Sequence, residues 1–99
     1  MNKKLQNENV SRFFESVLGL ENIEDCSNFF EDICTVAELQ EMSQRLYVAA
    51  LLDEGKTYQE IIRLTGASTA TISRINKCLE YGANGYVAAL KRMKEKHEN

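Results

Sequence analysis

The chain has 99 residues, 43% of them hydrophobic and 27% charged, with no proline and a net charge of −3. That is the length of one ordinary domain, and the composition suits a folded all-α protein with no disordered or low-complexity segment. No run of about eighteen apolar residues occurs, and the opening "MNKKLQNENV" lacks the apolar stretch of a secretory signal, so the sequence predicts no membrane span and a cytoplasmic location.

Val10, Phe13, Phe14, Val17 and Leu18 recur at helical spacing and predict a first helix from about Leu5 to Leu18, ended by Gly19. Cys26, Phe29, Phe30, Ile33 and Cys34 repeat the template in a shorter second helix. Four phenylalanines in two short helices need a surface to pack against. The third helix opens on "TVAE", a capping box in which Thr35 accepts a first-turn amide and Glu38 reaches back to the threonine amide. Its apolar positions are Leu39, Met42, Leu46, Ala49 and Leu52, and Gly55 stands where a left-handed terminator costs least.

A second capping box, "TYQE", starts a short fourth helix at Thr57, with Ile61, Ile62 and Leu64 as its apolar positions. Gly66 interrupts it, and "ASTATISRINKCL" begins a fifth helix with Ser68 as cap and Ile72, Ile75 and Leu79 as the buried stripe. Gly82, Asn84 and Gly85 break the chain again. The sixth helix, "YVAALKRMKEKHE", carries Tyr86, Leu90 and Met93 on one side and a mostly basic exposed side.

The span from about residue 57 to residue 79 has the form of a helix-turn-helix: an apolar residue early in the first helix, a residue tolerating positive φ in the turn, and apolar positions inside the second. Here these are Ile61, Gly66 and Ile72. A DNA-reading helix must show the major groove a small, polar N-terminal face, and Ser68, Thr69, Ala70, Thr71 and Ser73 suit that. Arg63, Arg74 and Lys77 add positive charge. Short helix, glycine, short helix also occurs in proteins that touch no nucleic acid; the run of small hydroxyl residues followed directly by Arg74 tips the balance toward DNA.

The charge distribution permits that role. Residues 1–54 hold four basic against eleven acidic side chains, a net −7, and residues 55–99 hold eight against four, a net +4. One half can thus attract phosphate while the other limits indiscriminate binding. Cys26, Cys34 and Cys78 form no C-x-x-C pair and are expected to be buried small thiols, and His97 stands alone, so no metal site is predicted. No nucleophile and base, carboxylate pair or phosphate-cradling loop points to an enzyme.

From Thr35 through Leu79 the chain resembles the Trp repressor superfamily, in particular its Trp-repressor-related branch of the YerC/YecD type. "T..E", "SQR", "LL..G", "TYQEI", "TGAS.ATISR" and "CL" occur in matching order. The resemblance implies a single domain over residues 1–99 with six helices, and an intertwined homodimer that presents two recognition helices about one DNA turn, ~34 Å, apart to a palindromic operator. Such repressors hold a tryptophan corepressor between two arginines, with which Arg45 and Arg74 align; Thr35 and the carbonyls of Asp32 and Cys34 align with the groups the partner chain contributes.

Two positions depart from that pattern. Ile75 and Cys78 stand where the family has glycine and serine. A β-branched side chain fills space an indole would need, and a thiol substitutes poorly for a hydroxyl. The sequence therefore leaves room for an amino-acid corepressor but argues against tryptophan, and it predicts no other cofactor. On its residues alone, Arg45 reads as a solvated helix position and Arg74 as a phosphate contact or the partner of an acidic helix. The expected function is sequence-specific regulation of transcription, as a repressor binding double-stranded DNA through Arg63, Ser68, Thr69, Ala70, Thr71, Ser73, Arg74 and Lys77. The competing reading keeps the helix-turn-helix as scaffold, without DNA binding, in a protein-interaction module built on the acidic half.

Overall fold

A computed structural model describes residues 1–98, with the side chains of residues 1–97. Six α-helices are present among them: α1 (Glu8–Leu18), α2 (Ile23–Ile33), α3 (Val36–Asp53), α4 (Tyr58–Thr65), α5 (Thr69–Tyr81) and α6 (Gly85–Glu98), with a single 3₁₀ turn at Lys3–Leu5. No strand occurs among the described residues, and none of these helices is long and apolar enough to cross a membrane. The fold is all-α, and its packing gathers into two compact units, Met1–Leu39 and Gln40–Asn99.

In the first unit, asparagines set both helix starts. Asn7 is extended and its side chain accepts from Val10 N at 2.9 Å, so α1 begins three residues later than the apolar pattern suggests. Asn22 caps α2 in the same way through Asp25 N at 2.8 Å. Phe13 and Phe29 join the two helices with ring centroids 6.1 Å apart, and Phe30 meets Phe29 edge-on at 5.4 Å. No residue of either helix is fully buried, and Leu18 and Ile23 are 84% and 86% exposed.

The cysteines correct an expectation. Cys26 and Cys78 are exposed and Cys34 is half-buried, all three as free thiols. Helical spacing places Cys26 and Cys34 on the apolar side of α2, but a stripe is buried only where something covers it, and Met1–Leu39 alone does not.

The second unit contains the core: Val48, Ala49 and Leu51 of α3, Ile61 of α4, Ala67 in the following turn, Ile72 and Ile75 of α5, and Leu90 of α6. Within α3, Val48 and Leu51 are buried although the template chose Met42 and Leu52; Met42 is exposed and Leu52 half-buried. The run "VAALL" is apolar all round, so periodicity could not select its inner face. Of the three apolar positions of α4, Ile62 and Leu64 are 40% and 42% exposed, leaving Ile61 as the residue that anchors this helix. Met93 of α6 is likewise exposed.

The turns explain how α4 and α5 are held. Gly55, at φ +83°, closes α3: Gly55 N donates to Leu52 O and Lys56 N to Leu51 O, both at 3.0 Å, satisfying carbonyls the helix end leaves open. Thr57, two residues after Gly55, caps α4 by accepting from Glu60 N at 3.1 Å through its Oγ1. A 2.7 Å ion pair between Lys94 and Asp53 ties α6 to the end of α3.

Candidate nucleic-acid interface

The turn between α4 and α5 is built from three interactions. Gly66 adopts φ +73°, the left-handed conformation that glycine enters without steric cost. Thr65 Oγ1 donates to Ile61 O at 2.7 Å and accepts from Ala67 N at 3.1 Å. Gln44 Nε2 of α3 donates to Thr65 O at 2.9 Å, fastening the turn to the long helix. The sequence carried Gln44 only within the "SQR" match and gave it no role, because its partner lies 21 residues away and is a backbone atom.

Ser68 then caps α5. Its Oγ accepts from Thr71 N at 3.2 Å and lies 3.0 Å from Thr71 Oγ1, to which it donates. Ser68, Thr69 and Ala70 are exposed, as are Arg63, Arg74 and Lys77. Thr71 and Ser73 are half-buried, so the small polar face expected over residues 68–73 divides: its first turn is open, and Thr71 turns toward the body of the unit. Ile72 and Ile75 fix the opposite side of α5 in the core. Among the described residues, Arg63, Arg74 and Lys77 make no salt bridge, leaving their charges available to a polyanion.

Arg45 and Arg74 line one cleft of about 120 Å³ together with Thr71, Ile75, Cys78 and Tyr86. Arg45 is half-buried rather than solvated, contrary to its reading from sequence. Ile75 and Cys78 both stand in the wall of the cleft, so the two departures from the family pattern fall at one place. Thr35 belongs to the other compact unit and caps α3 there: its Oγ1 accepts from Glu38 N at 3.1 Å, and its amide donates to Glu38 Oε1 at 2.9 Å. The Thr35 amide donating to the carboxylate, followed by the Thr35 hydroxyl, holds the Glu38 carboxyl below its ordinary pKa of 4.5. Among the described residues no group of His, Cys, Asp and Glu is arranged to hold a metal ion.

With this geometry in place, the family pattern of the Trp repressor protein matches residues 8–94, a span that runs through both compact units. The chain belongs to the Trp repressor family. The YerC protein of Bacillus subtilis (strain 168) is 50% identical over 92 residues, which cover 93% of this chain and 88% of the relative. Two solved structures share the fold. A TrpR-like protein of Eubacterium eligens superposes with a TM-score of 0.91 at 44% identity, covering 94% of this chain and 96% of its own. A Trp repressor-type protein of Staphylococcus aureus gives 0.90 at 45% identity, with 95% of each chain covered. The helix-turn-helix at α4 and α5 is thus the regulator motif of a Trp repressor-like fold.

Proposed function

We propose that residues 1–99 act as one Trp repressor-like domain, a cytoplasmic repressor of transcription that reads a palindromic operator as a homodimer. The observation that carries this reading is the exposed first turn of α5, with Ser68, Thr69 and Ala70 at its tip and, further along the same helix, Arg74 and Lys77, which make no salt bridge among the described residues. Short side chains let the helix approach base edges, and the cations hold phosphate. Thr71 and Ser73 support the tip from its half-buried flank, and Arg63 adds charge from α4. Support for the homodimer comes from Met1–Leu39, whose helices bury nothing fully by themselves and leave Leu18 and Ile23 open. The cleft lined by Arg45 and Arg74 is where an amino-acid effector carboxylate would find complementary charge.

Selection of bound sequences from a random DNA pool, with and without the twenty amino acids, tests the reading. The expected result is enrichment of a palindrome whose affinity falls steeply between about 50 and 200 mM salt. No enrichment at low salt refutes it. The acidic character of residues 1–54, together with the exposed apolar residues of α1 and α2, favours the competing protein-interaction reading; a stoichiometric protein partner combined with no DNA retention would establish that instead.

A further inference from the structure

Tyr81 is the last residue of α5 and is 84% exposed. Its significance lies in the residues that share its face. Because Ile72, Ile75 and Leu79 turn inward, helical geometry sends Ala70, Arg74, Lys77 and Tyr81 to the opposite side, at spacings of four, three and four residues. All four are exposed. Arg74 and Lys77 make no salt bridge among the described residues, and Glu80, also exposed, lies on the flank of this face rather than at its centre. The face is therefore a cationic strip ending in a phenol, complementary to a polyanion.

Length decides where the strip would reach. Tyr81 stands eleven positions after Ala70, about 16 Å along the axis at 1.5 Å per residue. The major groove is only about 12 Å wide. A helix whose axis crosses the groove, with its first turn on base edges, carries its last turn to the groove's edge, beside backbone phosphates.

We propose that Lys77 and Tyr81 form a phosphate-backbone contact at the C-terminal end of α5, with duplex DNA flanking the bases read at the N-terminal end as its partner. The ammonium contributes charge, and the phenol hydroxyl donates to a phosphate oxygen. The inference rests on the DNA-binding reading and extends it from the bases to the flanking backbone.

The test measures affinity for the selected operator and for an unrelated duplex at several salt concentrations, together with oligomeric mass, for the wild type, Tyr81→Phe, Tyr81→Ala and Lys77→Ala. Tyr81→Phe is expected to weaken both duplexes by a similar factor, about three- to tenfold per contact, with the salt slope unchanged, because a neutral hydrogen bond releases no counterion. Lys77→Ala is expected to weaken both and to reduce the slope by about one per contact. Wild-type affinity in both Tyr81 variants overturns the proposal. A change of mass in Tyr81→Ala, with DNA affinity following the concentration of assembled protein, overturns it in favour of an interface between copies. A wild-type protein that retains neither duplex refutes the DNA-binding reading itself, and this inference with it.

Discussion

Ser68 separates what holds α5 together from what α5 is proposed to read. Its hydroxyl accepts from Thr71 N at 3.2 Å and donates to Thr71 Oγ1 at 3.0 Å. Ser68→Ala removes both interactions. Losing an N-cap costs about 1 kcal/mol, and the exposed hydroxyl pair adds little because water replaces it. A loss of that size lowers the melting temperature by about 4–8 °C in a domain of this length. Ser68→Asp should behave oppositely, since a carboxylate caps as well as serine does and interacts favourably with the helix dipole, so stability stays within a few tenths of a kcal/mol or rises. Yet that carboxylate sits on the turn proposed to enter the groove, where it meets phosphate repulsion, and operator affinity should fall by more than about tenfold. Urea unfolding followed by circular dichroism reads the first quantity and operator titration the second. The expected pattern is crossed, with the alanine variant less stable but binding within a few-fold of wild type, and the aspartate variant stable but defective in binding. An aspartate variant that binds like wild type refutes the placement of this turn against DNA. An alanine variant that unfolds at the wild-type midpoint refutes the cap.

Three further outcomes test the fold beneath the site. Gly82→Ala should destabilise the protein by about 1–3 kcal/mol, because its new Cβ would stand 2.3 Å from Cys78 O, a backbone atom that cannot swing aside; an unchanged urea midpoint contradicts that. Ile61→Ala should cost about 2–5 kcal/mol, whereas Ile62→Ala, at a position 40% exposed, should cost much less, and the reverse order would show that α4 presents its other side to the core. Glu38 titrates below 4.5 in the folded chain, so its contribution is fully present above the unfolded value and disappears as pH falls through the lower folded one. Glu38→Ala should therefore flatten the acid side of the stability profile below about pH 4.5, and an identical profile in the variant would show that the Thr35 capping box contributes nothing.

What could be read in the sequence was what local chemistry decides. Thr35 with Glu38, Thr57 before α4 and Ser68 before α5 are caps because hydroxyl oxygens reach amides three residues on, whatever the rest of the chain does. Gly55 and Gly66 sit in the left-handed region for an equally local reason. The helix-turn-helix and the inward stripe of Ile72 and Ile75 followed from these signals and the spacing between them. Apart from the start of α1, where the Asn7 cap went unread, the misreadings concern burial, which neighbours decide. Ile62 and Leu64 match an apolar template yet are 40% and 42% exposed, Cys26 lies on the apolar stripe of α2 yet is exposed, and Arg45, polar by type, is drawn half inside the cleft it shares with Arg74. The role of Gln44 was invisible for the same reason, since it exists only once Thr65 has been folded against α3.

The position of Ile75 connects stability to recognition. It is part of the core with Ile72 and at the same time forms a wall of the cleft between Arg45 and Arg74. A side chain that anchors α5 from inside and fills space beside two cations has two effects: it restrains how far α5 can shift, and it narrows what can enter next to Arg74. The orientation of α5 is thereby set within Gln40–Asn99 by packed hydrocarbon, by the Gln44 amide bonded to the turn before it and by the Ser68 cap. Any effector acting through this cleft must gain enough from the two arginines to displace that packing. A fully buried isoleucine contributes about 1.5–3 kcal/mol, so weak or purely apolar ligands could not move the helix, and only an anion engaging both guanidinium groups offers comparable differential affinity.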